Sequence, residues 1–224
     1  MKLGLLRAFF GFSFKAGWVR QNYALDLKPG RVVEAQIVPL EPEEFDKIIK
    51  ACDQHPYKDR RPILRAMLLV MRYSGLRIRD VVTLRRDSIV KEKLFLRTSK
   101  TGTDVYCPLP PSVVSALNLL PAEGKHFFWN GHSKPRSAVG NYQKSLALIF
   151  ESAGVSRAYP HLFRHTFATD LLQKGVSVQN VAMLLAHSST KMTERRYSHW
   201  IKSRLDSLEA DVKKSWTHLD PVTA

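Results

Sequence analysis

Residues 159–200 read YPHLFRHTFATDLLQKGVSVQNVAMLLAHSSTKMTERRYSHW, and this stretch decides how the rest of the chain is read. It holds His161, Arg164, His165, His187, Tyr197 and His199. These are groups that bind phosphate, move protons or, for a tyrosine, attack phosphorus. A plain amphipathic helix has no need of this spacing, so the stretch reads as half of an active site whose remainder lies upstream.

On a helix, positions i, i+3 and i+4 lie side by side. Phe163, Phe167 and Leu171 then form an apolar stripe, and His161 and Arg164 point together into a groove. A guanidinium offers a planar fork of donors that matches two phosphate oxygens. Taken alone, the pair also fits a solvated helix face. His161 and His165 have the i, i+4 spacing of a zinc helix, but the glutamate of an HExxH motif is missing and Arg164 would set a positive charge beside the ion. No metal site is therefore expected. Tyr197 follows His187 by ten positions, across the polar turn Ser188-Ser189-Thr190-Lys191. A phenolate suits attack on a phosphodiester because the covalent link keeps the bond energy for reversal. Its ordinary pKa near 10 requires neighbouring cations to help it ionise.

Two upstream residues complete the set. Arg77 sits just past the helix-ending Gly75, where it can reach outward or simply complement a helix dipole. Lys100 stands in Lys100-Thr-Gly-Thr103, between Leu94–Ser99 and Asp104–Leu109, where the apolar period changes from 3.6 to 2. That pattern predicts a β-hairpin with Gly102 in the turn and Pro108 at an edge or at the strand's end. An ammonium at such a tip reaches into a groove or into solvent.

The rest reads as helix: 3–18, with Leu6, Phe9, Phe10 and Phe14 at helical spacings, then 41–53, 61–74 and a short helix from Ile78. Phe45, Ile48, Ile49 and Cys52 form the buried stripe of 41–53; Ile63, Met67, Leu68 and Met71 form that of 61–74. Beyond the hairpin, helices are expected at 111–120, 137–152, 161–173, 177–186, 191–198 and 200–216. Residues 26–38, with Pro29-Gly30, read as a linker. The fold class is mainly α with a small antiparallel β-sheet (α+β).

The chain has 224 residues, 44% hydrophobic, enough for a full core. Its net charge is +15, which favours a polyanionic partner, nucleic acid first. Cys52 and Cys107 form no CxxC pair, which excludes a disulfide framework and a zinc ribbon and suits a reducing cytoplasm. Arg7 and Lys15 interrupt the N-terminal apolar run, so a cleaved leader is not expected, and no run of eighteen apolar residues implies a membrane span.

Ser74-Gly-Leu-Arg77, Thr98-Ser-Lys100-Thr-Gly102, His161-x-x-Arg164-His-Thr-Phe-Ala, Leu184-Leu-Ala-His187-Ser-Ser and Tyr197 occur in the order found in tyrosine recombinases, the phage integrases and Xer-type enzymes. The resemblance covers about residues 39–216 and implies a tyrosine recombinase catalytic-domain fold over 39–224. Residues 1–38 resemble the last helix of that family's core-binding domain and its linker, the rest of that domain being absent.

The resemblance implies a site-specific DNA recombinase working through a 3′-phosphotyrosyl intermediate. Arg77 and Arg164 would clamp the scissile phosphate, Lys100 would protonate the leaving 5′-oxygen, and His161 would exchange a proton near the nucleophile. His187 would bond a non-bridging oxygen, and Tyr197 would attack. It further implies double-stranded DNA as partner, a tetramer on DNA coupled through the C-terminal helix, no cofactor, no membrane, and a place in the cytoplasm at the nucleoid. Ile201, Leu205, Leu208, Val212 and Trp216 make the stripe of that helix, which either packs on its own core or docks on a neighbour.

Two departures stand out. Ala186 replaces a common glycine, and the interval from His187 to Tyr197 is one residue longer than the commoner spacing, although Thr193–Trp200 resembles a family variant with the same insertion. An extra helical residue turns a side chain by about 100°. Two alternatives therefore stay open: a type IB topoisomerase, and a catalytically impaired DNA-binding relative. His165 and His199 read as structural or as supports for the residues of the site.

Overall fold

The computed structural model describes residues 3–28 and 37–216; in the last helix the side chains described are those of 190–201, 208, 209, 212 and 213. The chain divides into two compact units, Met1–Ile37 and Val38–Ala224. The centre of the expected 26–38 linker lies outside the described residues.

In the first unit, α1 spans Leu3–Lys15. Arg7 ties it to the following turn by giving hydrogen bonds to the carbonyls of Ala24, Leu25 and Leu27 at 3.2, 3.3 and 2.7 Å. Of the expected stripe, Leu6 and Phe10 are half-buried, while Phe9 and Phe14 are exposed. This short unit has too little chain to cover both sides of its helix.

The second unit runs α2 (Pro42–Ala51), α3 (Arg60–Ser74), α4 (Ile78–Val82), β1 (Ile89–Val90), β2 (Lys93–Arg97), β3 (Asp104–Pro108), α5 (Pro111–Asn118), α6 (Pro135–Ser152), α7 (Pro160–Gln173), α8 (Val178–Leu184) and α9 (Thr190–Trp216). The sheet is antiparallel in the order β1-β2-β3, with Leu94 opposite Cys107 and Leu96 opposite Val105. Pro108 closes the edge strand β3, where its missing N–H costs nothing. Strand β1 was not expected: two residues are too short to show a period.

Helix α2 starts as its sequence dictates. Pro42 takes the first turn, and Glu41 and Glu44 form a reciprocal capping box. Arg157 then pairs with Glu44 and gives hydrogen bonds to the carbonyls of Val38 and Pro39, both at 2.9 Å. Helix α3 ends on Gly75 in the left-handed region at φ +63°. A Cβ there would lie 2.4 Å from the Phe167 ring, so both the turn and the packing demand glycine.

Helix α7 lies at the centre, packed on α3, α8 and α9. The expected split into an apolar stripe and a polar groove is corrected here: every residue from Leu162 to Thr169 is buried, while His161 is exposed and Leu171 half-buried. A helix surrounded on all sides has no polar face. Helix α3 behaves similarly, burying Leu64, Ala66 and Val70 besides Met67, Leu68 and Met71, and leaving Ile63 half-buried. Ile49 of α2 is likewise half-buried. At the C-terminus the two expected helices follow one another directly within α9, across a kink whose non-helical residue is Tyr197 itself, at φ −116° and ψ 19°.

Candidate active site

Two helix ends converge on α7. Arg164, 3% exposed, gives a hydrogen bond from Nη1 to the carbonyl of Gly75 at 2.9 Å and another from Nη2 to the carbonyl of Leu185. These carbonyls belong to the ends of α3 and α8, where helical carbonyls lack partners. Arg77 follows Gly75 by two residues, and His187 follows Leu185 by two. One guanidinium thus fixes both loops that carry the other phosphate-binding candidates.

The loop after α8 closes as a Schellman motif. His187 N–H reaches the Ala182 carbonyl at 3.0 Å, and Ala186 N–H reaches that of Met183 at 2.9 Å. Ala186 takes the left-handed position at φ +48°. The alanine therefore keeps the turn that glycine would favour, at a cost in strain. His187 is aimed by Thr193, whose hydroxyl lies 2.7 Å from Nδ1 and which is fully buried in α9.

Arg77 is the N-cap of α4, and its Nη1 is buried with no hydrogen-bond partner among the described residues. It lines an open cleft of about 500 Å³ together with Ser99, Lys100, Tyr159 and His161. Lys100 is exposed in the turn of the β2–β3 hairpin. The hairpin is anchored through its neighbour: Ser99 gives hydrogen bonds from its N–H and Oγ to the buried Asp80 carboxylate at 2.9 and 2.7 Å. Asp80 sits one helical turn past Arg77, so α4 presents the arginine and holds the lysine's turn at once.

Tyr197 is 2% exposed, and its hydroxyl lies 2.9 Å from Nδ1 of His165, itself 3% exposed. The His165 ring stands perpendicular to that of His161, centroids 4.7 Å apart. His199 is exposed and touches Trp200 instead.

The electrostatics show how closely these groups gather. Burial, followed by the charges of Arg164, Arg196, Arg77 and Lys100, holds His161 down at about 4, although part of its ring meets solvent. Burial with Arg164 and Arg77 holds His187 at about 4. His165 is lowered to about 3, again chiefly by burial. Arg164 itself falls to about 10, from burial and from Arg77. Burial raises Tyr197 to about 12, outweighing the help that Arg164 and Arg196 give its phenolate. The expectation that cations ease this ionisation is thus met in direction and overridden in sum in the DNA-free chain.

Of the six expected residues, Arg77, Lys100 and His161 line one cleft. Arg164 and Arg77 lie near enough to His161 and His187 to lower the pKa of both, and Arg164 acts likewise on the buried Tyr197. Sequence reading missed Asp80 and Thr193, and it left His165 as structural or as a support for the site without naming its partner. The i+3 spacing of Asp80 from Arg77 was the available clue; the contact of His165 with Tyr197 had none, being made across 32 residues. Among the described residues no group of three or more His, Cys, Asp or Glu side chains could hold a metal ion, and no helix is long and apolar enough to cross a membrane.

The fold and the Arg/Lys/His/Tyr constellation define a class, and comparison with known proteins agrees. Residues 39–204 match the phage integrase family. The chain belongs to that family, the tyrosine-type site-specific DNA recombinases. It is 25% identical over 213 residues to the tyrosine recombinase XerD of Listeria innocua, covering 89% of this chain and 70% of the relative. It is 27% identical over 218 residues to XerD of Pseudomonas putida, covering 92% and 72%. A lambda integrase tetramer bound to a Holliday junction shares the fold with a TM-score of 0.64 at 21% identity, covering 84% of this chain and 57% of that one.

Proposed function

We propose that this chain cuts and rejoins double-stranded DNA through its own Tyr197, forming a 3′-phosphotyrosyl link and freeing a 5′-hydroxyl. The observation that carries the assignment is the buried, unpartnered Nη1 of Arg77 on a cleft shared with Lys100 and His161. A buried guanidinium N–H without an acceptor is costly. A phosphodiester oxygen is an acceptor of matching charge. Arg77 and Arg164 then neutralise the scissile phosphate, and His187 gives a hydrogen bond to a non-bridging oxygen. Lys100 delivers a proton to the leaving 5′-oxygen, while His161 is the proton acceptor or donor around the nucleophile that the family resemblance implies. Each donor preplaced for the pentacoordinate transition state contributes on the order of 10²–10³ in rate. With two arginines on the phosphate, the chain's own groups supply the charge that a metal would otherwise bring.

The first unit, Met1–Ile37, serves in this reading as the end of a core-binding domain and its linker. The C-terminal helix docks on a neighbouring subunit in a tetramer on DNA. Leu208 of that helix is 58% exposed, which supports docking between subunits over folding back. The protein works in the cytoplasm, on the nucleoid. The phosphate contacts of Lys and Arg make binding fall steeply with salt. The recombinase names of the relatives lend the type IB topoisomerase alternative no support.

A nicked duplex carrying the cognate site tests the proposal. The expected product is a denaturation-resistant protein–DNA adduct that is unaffected by EDTA and abolished by Tyr197→Phe. An adduct that survives this substitution removes Tyr197 as nucleophile. A DNA-bound wild type that forms no adduct favours the impaired relative.

A further inference from the structure

We infer that His165, the histidine beside the phosphate-clamping arginine, accepts the proton of the Tyr197 hydroxyl during strand cleavage. The inference rests on the function proposed above and moves onto His165 the proton acceptance that the family resemblance gives to His161. The geometry separates the two histidines of α7. His161 lies at the cleft, among Arg77, Lys100 and Ser99. His165, one turn further into the core, is the residue in hydrogen-bond contact with the nucleophile's oxygen, at 2.9 Å.

The protonation states agree with this division. For Nδ1 to accept the phenolic O–H, the imidazole must be neutral with its proton on Nε2. Burial and the charges around it keep His165 neutral: His161 and Arg164 on α7, His187 after α8, and Arg196 on α9. Two of those groups, Arg164 and His187, are among the residues that would bind the scissile phosphate. An arriving phosphodiester offsets their positive charge and so makes an imidazolium easier to form. The same event offsets the help that Arg164 gives the phenolate, so the proton must pass to an acceptor as the oxygen attacks. Proton acceptance is thus favoured by DNA, and in its absence the buried pair stays neutral.

The step balances. The Tyr197 O–H bond breaks and its proton moves to Nδ1 of His165; the phenolic oxygen bonds to phosphorus; the P–O5′ bond breaks; and O5′ takes a proton from the Lys100 ammonium. Rejoining runs these transfers in reverse, so no outside reactant is consumed.

His165→Asn tests it, because the Asn Oδ1 can stand near the place of Nδ1 and accept a hydrogen bond, yet takes up no proton near neutral pH. Single-turnover cleavage of the nicked duplex is followed with oxygen, and then with sulfur, at the 5′-bridging position, since a thiolate leaves without a general acid. The expected result is a cleavage rate lowered about 10²–10⁴-fold by His165→Asn with DNA binding unchanged. Sulfur restores Lys100→Ala but not His165→Asn, and the acid limb of the wild-type pH profile disappears in His165→Asn. A rate within about threefold of wild type, or rescue by sulfur, overturns the assignment. If His165→Asn fails to fold, His161→Asn decides: an acid limb retained there supports His165, and one lost there overturns it. A wild type that forms no adduct at all refutes the recombinase reading instead.

Discussion

Arg164 and Lys100 are both basic candidates of one site, yet the protein holds them by opposite means. Arg164 is 3% exposed and bonded to two helix-end carbonyls, whereas Lys100 stands in an exposed turn anchored only through Ser99 and Asp80. The first is part of the core and sets the positions of two loops. The second is a charge on a short arm that must meet its DNA oxygen. Phosphate clamping needs fixed geometry, so it is built from the most buried helix. Proton delivery to a departing oxygen tolerates reach, so it sits on a hairpin.

The contrast is sharpened most by Arg164→Ala. It leaves the Gly75 and Leu185 carbonyls without their donor, at about 1–3 kcal/mol each, and removes a phosphate ligand. Thermal unfolding and adduct formation should therefore fail together, with a drop of several degrees in Tm and loss of cleavage by at least about 10²-fold. An Arg164→Ala protein as stable as wild type breaks the comparison. Lys100→Ala should instead separate the two measurements: cleavage falls about 10²–10⁴-fold while stability stays within about 0.5 kcal/mol.

Acid provides a third test. His161, His165 and His187 all have folded pKa values lowered from 6.5, to about 4, 3 and 4. The unfolded chain then binds more protons than the folded one between those values and 6.5. Stability should be greatest above pH 6.5 and fall as pH drops from 6.5 toward 4, because the site histidines resist protonation. A Tm that is flat across this window would mean that the site is more open to water than the structure shows.

The smallest effect is expected at Ala186. Glycine there relieves left-handed strain of about 1–2 kcal/mol. It also frees the unfolded backbone by about 0.5–1 kcal/mol and loses a buried methyl group of about 0.8 kcal/mol. These offset one another, so Ala186→Gly should change stability by less than about 1 kcal/mol in equilibrium unfolding. That balance explains how an alanine persists at a glycine's position.

The sequence made several features legible because their causes are local. Gly75 at the end of α3, the hairpin about Gly102 and the residues of each of the five motifs are set by their neighbours in the chain. The amphipathic reading of α7 did not survive, since periodicity shows a polar and an apolar face only when one face meets water, and α7 meets none along Leu162–Thr169. Leu64 replaced Ile63 in α3 for the same reason.

The residue at which the C-terminal helix departs from helical geometry was also beyond the sequence. An insertion before Tyr197 shifts its phase by about 100°, and where the chain absorbs that shift depends on what surrounds it. Here the surroundings are the pocket beside His165, and the non-helical backbone falls on Tyr197. The sequence by itself determined the chemistry that was available: two arginines, a lysine, histidines and a tyrosine in family order. Only the tertiary structure decided which histidine meets the nucleophile, because His165 and Tyr197 are joined by a contact between two helices and not by any pattern along either one.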